Sequence, residues 1–165
     1  MDQDNKIWEE FKTTQNDFYL KKGQLLGKNN IITIVREAFK DPNDNIAVLR
    51  LLQTFVYNEI EIIKQVMPEL VDGSLTGNPT TIYFSRKVIS LIDRNWLASQ
   101  LEHFVKSIPV NEEEWVYRRT AELYTYLNLS ELLSRHLDFC KSHQSEEIRE
   151  IADDFSSPSV ENLPG

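Results

Sequence analysis

The sequence predicts an all-α fold, a short right-handed α-solenoid of antiparallel helix pairs, with an irregular helical bundle as the alternative. Three observations carry this. Apolar residues recur at a period near 3.6 along most of the chain. Only five glycines interrupt 165 residues. And the order of apolar and polar positions is written twice: Leu97 and Leu129, Leu101 and Leu133, Val105 and Leu137, and Ile108 and Cys140 each stand 32 apart.

Nine helical segments are expected. The first, 5–22, carries Ile7, Trp8, Phe11, Phe18 and Tyr19, and the second, 29–39, ends before Pro42. Segments 44–56 and 58–71 are separated only by Tyr57-Asn58, so they read as two helices or one bent helix. The stretch "DGSLTGNPT" (72–80) reads as a glycine-bearing loop. "TTIYF" (80–84) passes locally for a strand, yet the 3.6 period runs on through Val88, Ile89, Leu91 and Ile92, so a helix over 81–93 is expected. The next, 95–108, closes at Pro109. Asn111 with Glu114 forms a capping-box pattern that opens 111–127. The last two are 129–142 and 145–155, the latter capped by Ser145 with Glu146 and Glu147 in its first turn.

Residues 84–115 and 116–147 form successive units, and a third begins at Ile148. An earlier unit, through Ile60, Ile63, Met67 and Leu70, aligns with an excess of five or six residues assigned to the glycine loop. One helix pair cannot bury its own apolar face, so stacked neighbours supply the core. The expected organisation is one helical-repeat domain over 1–157, with a helical cap over 1–43, repeats over 44–157, and a flexible tail over 158–165.

Residues 115–155 resemble a HEAT repeat followed by the start of another. Arg118-Arg119 on a first helix, the turn at Asn128, Leu129/Leu133/Leu137 on a second helix and Glu146-Glu147 in an acidic turn fill the family's places, as do Asp93-Arg94 in the preceding unit. No proline kinks the first helices, where the family often has one. The resemblance covers roughly 45–155 and implies a non-catalytic surface for protein partners.

Composition narrows the function. The formal net charge is −8. Residues 111–165 hold 12 acidic and 5 basic side chains, a balance of −7. Such a surface repels phosphates, so no nucleic-acid partner is expected, and a basic protein is favoured. No apolar run is long enough to cross a membrane. The polar start "MDQDNKIWEEF" and the single cysteine fit a cytoplasmic protein.

Candidate chemistry is thin. His136, Cys140 and His143 share a helical face, a spacing that suits zinc, but Cys140 aligns with Ile108 and His136 with Phe104, both core positions. They read as core filler, and Cys140 with His136 lacks the electropositive setting of a nucleophile. "DPNDN" (41–45) lacks the glycine and glutamate of a calcium loop and reads as a turn. No metal, cofactor or enzymatic activity is expected. The expected partner-binding residues are the carboxylates Glu59, Glu61, Glu69, Glu102, Glu131 and Asp138 along second helices, with Trp115, Tyr117 and Tyr126 as aromatic anchors. In size, charge and helical-repeat style the chain resembles the immunity proteins of bacterial polymorphic-toxin systems. That resemblance implies a small acidic inhibitor that neutralises a basic partner. A general adaptor or assembly subunit is the alternative, and a helical-repeat enzyme with a basic groove a third reading.

Overall fold

Proline and glycine decide where the helices of the central region begin and end, and they do so differently from the sequence expectation. The computed structural model describes residues 3–108 and 113–156, and within them every regular element is helical. α1 spans Gln3–Leu26, α2 Ile31–Lys40 and α3 Asn45–Leu52. A 3-10 turn at Tyr57–Glu59 follows, with Tyr57 at φ 47°. Asn43 donates through its backbone and side chain to Asp41 Oδ1, making "DPNDN" a turn.

The expected helix over 58–71 is two helices, α4 (Ile60–Gln65) and α5 (Met67–Thr76). Pro68 is the cause. Its ring cannot follow the carbonyl four residues back within a continuous helix, but it fits the first turn of a new one. Val66 takes the break at φ −104°, ψ 18°.

The expected loop over 72–80 is mostly helix as well: α5 runs through Asp72-Gly73-Ser74-Leu75-Thr76, and only Gly77 and Asn78 separate it from α6 (Pro79–Ile89). The extra residues in the early unit are therefore not loop. Here glycine serves close approach. A Cβ on Gly73 would lie 2.8 Å from Ser85 Oγ, and one on Gly77 would lie 2.5 Å from the Gly73 carbonyl oxygen. Asn78 caps α6, accepting from the Thr81 N–H at 3.0 Å. Thr81 and Ser85 are buried in the resulting α5–α6 seam.

α7 is Arg94–Ser107, capped by Asp93, whose carboxylate accepts from the N–H groups of Asn95 and Trp96. α8 is Glu114–Tyr126, α9 Ser130–Lys141 and α10 Glu146–Ser156. α8 thus starts three residues later than expected, after Glu113, while Asn111 and Glu112 lie outside the described residues. Asn128 turns the chain between α8 and α9 at φ 55°. The tail over 158–165 also lies outside the described residues.

α3 packs on α2 and α6, α5 on α6, α7 and α8, and α10 on α8 and α9. One large core runs from Val35 in α2 to Leu132 in α9, centred on fully buried Leu49, Ile63, Leu70, Leu75, Ile89 and Leu101. Each contributes roughly 2 kcal/mol of apolar burial. A smaller core of Ala121, Leu137, Cys140, Ile148, Ile151 and Ala152 joins α8, α9 and α10, and Leu133 touches both.

Several polar links cross between helices at similar sequence distances. Arg36 meets Glu69 (3.0 Å), Arg86 meets Glu122 (2.9 Å), Glu102 meets Arg135 (2.8 Å), and Arg118 meets Asp154 (2.7 Å). Arg94 donates to the Asn128 carbonyl. The partners stand 33 to 36 residues apart. Arg119 donates to the carbonyls of Leu75 (2.7 Å) and Gly77 (3.1 Å), satisfying the C-terminal end of α5.

Candidate functional site

A cavity of about 500 Å³ opens between α7, α8 and α9. Helical spacing builds each wall. On α7, Glu102, Val105 and Lys106 fall at i, i+3 and i+4; on α8, Val116, Thr120 and Tyr124 fall at i, i+4 and i+8; on α9, Leu132, Arg135, His136 and Phe139 fall at i, i+3, i+4 and i+7. The lining is predominantly carbon, with few polar groups at its edge, the usual make-up of a ligand or peptide site.

The charged groups among them satisfy one another. Glu102 accepts from Lys106 at 2.8 Å through one oxygen and from Arg135 at 2.8 Å through the other. These two cations hold its carboxyl below the usual range, hydrogen bonding to Lys106 contributing most. His136 Nε2 lies 2.9 Å from the Tyr117 carbonyl oxygen. Burial pushes this imidazole below its ordinary value and the Tyr124 phenol above its own. The aromatic walls are mutually stacked. Tyr117 lies parallel to His136 and Phe139, at 6.1 and 6.0 Å between centroids, and Tyr124 meets His136 edge to face at 5.9 Å. Phe139 is exposed at the rim.

Cys140 lies behind this wall, its sulfur 3.7 Å from His136 Nε2. The pair is held neutral. Burial pushes the thiol up to about 11, while the imidazole is shifted down and donates to a carbonyl. A thiolate nucleophile needs the opposite shifts on both groups.

Of the residues singled out in the sequence, the structure brings Glu102 and Tyr117 together at the cavity. The other carboxylates are scattered, and most are neutralised locally. Glu59 accepts from Lys22 (2.8 Å) and from the Val56 N–H (3.0 Å), closing the turn before α4. Glu61 pairs with Lys64, Glu69 with Arg36, and Asp138 with Lys141. Glu131 is exposed and shares a second, polar hollow with Arg94 and Arg135. Trp115 spreads over the Arg119 guanidinium at 4.9 Å and donates to Glu113, which gives its ring a structural task. Tyr126 is exposed on the far side of α8 from buried Tyr124. Arg135, His136 and Phe139 were not read as site residues. Arg135 was within reach, being the opposite charge one period beyond Glu102.

Among the described residues no helix is long and apolar enough to cross a membrane. Compared with known proteins, the chain matches no family model, no curated protein and no solved structure.

Proposed function

We propose that the protein is a non-catalytic protein-binding module, a short stack of antiparallel helix pairs of HEAT-like build whose α7–α8–α9 cleft receives an apolar anchor of a basic partner. One observation carries the reading: the charged groups of the cleft, Glu102, Lys106 and Arg135, are spent on each other, while the cavity beside them is lined mainly by carbon and has the exposed Phe139 ring at its rim. Such a site offers shape and burial and has no group poised for bond-making. The stacked-pair architecture is supported by the cross-helix links at 33 to 36 residues, close to the repeat of the sequence. A basic partner is supported by the acidic excess of the last third of the chain. A small acidic binding module of this kind suits the role of an immunity-type inhibitor that sequesters a toxin.

The test is co-purification from the source cell across a salt series, with wild type beside Phe139→Glu and Thr120→Phe. One stoichiometric basic protein, eluted by salt and lost at least tenfold with either cleft variant, is the expected result. Equal recovery by both variants rules out the cleft. Several weak partners instead of one make the protein an adaptor.

A further inference from the structure

The longest helix is the least covered. From Asp4 to Lys21, α1 is exposed at every residue except half-buried Lys12, although it carries the largest cluster of aromatic side chains outside the core. Its apolar residues are not scattered. Ile7, Phe11, Phe18 and Leu25 follow one another at four, seven and seven residues, and so share one line along the helix, with Trp8 and Leu26 beside it. The end of that line is already an interface: Leu26 packs on the main core, and Lys22 donates to the Thr54 carbonyl and to Glu59, its ammonium lying over Phe55. The same face then continues outward with nothing on it. Ile7, Trp8, Phe11, Phe18 and Tyr19 are 40 to 59% exposed, and Trp8 and Phe11 stack on each other at 5.5 Å. A lone helix of this length without alanine-rich composition is marginal in water.

We infer that this face is a self-association surface, on which α1 of a second copy packs antiparallel to the first. This surface is separate from the cleft and rests on none of its residues. Charge sets the direction. Lys6 and Asp17 lie on one flank of the stripe, eleven residues or about three turns apart. Asp17 has no cation within ion-pair distance among the described residues, and Lys6 has only a loose 3.8 Å pairing with Glu10. A two-fold axis between Phe11 and Lys12 places Lys6 of each copy against Asp17 of the other, twice. A parallel pair would turn this flank of each copy toward the opposite flank of the other, so Lys6 and Asp17 would not meet. Area agrees: about half of five large side chains, at roughly 200 Å² each, gives about 500 Å² per copy and about 1,000 Å² in all. That lies at the lower limit of specific interfaces and implies a reversible dimer.

Sedimentation velocity of the full chain, from low to high micromolar concentration, tests it. Wild type should move from monomer to dimer, and Phe11→Asp and Phe18→Asp should each weaken association at least tenfold. Neither side chain belongs to the core, so melting of the helical body should stay as in wild type, with any loss of helical signal confined to that of α1. Asp17→Lys should weaken the dimer several-fold, and adding Lys6→Asp should restore it. A monomer at every concentration overturns the inference, as does a dimer that Phe11→Asp leaves intact. Binding of a monomeric wild type to lipid vesicles or to another protein through α1 overturns it as well.

Discussion

The α5–α6 seam and the α7–α8–α9 cleft are made from the same kind of element, yet one is closed and the other open. At the seam the residues in contact are Gly73, Gly77, Thr81 and Ser85, and the backbones come so near that a single Cβ would collide. At the cleft Tyr117, Tyr124, His136 and Phe139 stack ring to ring between α8 and α9, which pack closely, while α7 stands off from both and leaves the opening. The size of the side chain at the contact sets the spacing between helices. What this pair of regions teaches is that an opening in a helical stack needs no loop. It needs a third helix, here α7, that packs less closely than the two beside it.

The strongest way to break the contrast is to put a methyl group into the seam. Gly77→Ala would set its Cβ 2.5 Å from a backbone oxygen and 2.8 Å from Thr81 Cγ2. The last turn of α5 and the start of α6 must then open, with an expected loss of about 3 kcal/mol and a melting temperature lower by roughly 10 °C. Unchanged melting would mean that the seam is looser than described.

Gly73 sharpens the comparison, because two effects of opposite sign meet there. Alanine is the better helix former by about 1 kcal/mol, but its Cβ would meet Ser85 Oγ at 2.8 Å. That hydroxyl is buried without a hydrogen-bond partner among the described residues, so Ser85→Ala alone should be close to neutral. Gly73→Ala should cost about 1 kcal/mol in wild type and turn stabilising in the Ser85→Ala background. A double-mutant cycle by urea denaturation checks the change of sign. Additive effects would refute it.

The smallest effect belongs to the cleft. His136 binds its proton less readily folded than unfolded, so between the unfolded value near 6.5 and its lowered folded value the unfolded chain holds more protons. Stability contributed by the neutral ring is therefore full above about pH 6.5 and declines as pH falls below it. Glu102 has the same sign, but its window lies below the ordinary carboxylate value of 4.5. Between pH 8 and 5, His136→Gln should lose less stability than wild type. Parallel losses would remove His136 as the cause.

Helix content was readable because it depends on short-range periodicity. Leu97 and its counterpart Leu129, and Ile108 and its counterpart Cys140, are all buried, whereas Leu133 and Val105 are half-buried opposite buried Leu101 and Leu137. The continuation of α5 through Gly73 was not readable. The reason for that glycine is Ser85 on another helix, and by local preference alone "DGSLTG" favours a turn. The break at Pro68 was legible in principle, since proline inside a helical pattern marks a boundary. At the cleft, Glu102 and Tyr117 were found, but Arg135, His136 and Phe139 were not, because their convergence depends on how α9 rotates against α7. Charge partners 33 to 36 residues apart carry that information: Arg86 and Glu122, Glu102 and Arg135, Arg118 and Asp154. The carboxylates chosen for an acidic face were chosen by sign alone, and Lys64, Arg36 and Lys141 answer three of them at close range.

The lone sulfhydryl gives the molecule a built-in gauge. Cys140 sits fully buried in the smaller core, between α8, α9 and α10, and its thiol is held in the unreactive form at neutral pH. A thiol-directed dye therefore reacts only with molecules whose last three helices have come apart, whatever the state of the larger core. Labelling rate against denaturant thus reads the opening of one end of the chain separately from global unfolding.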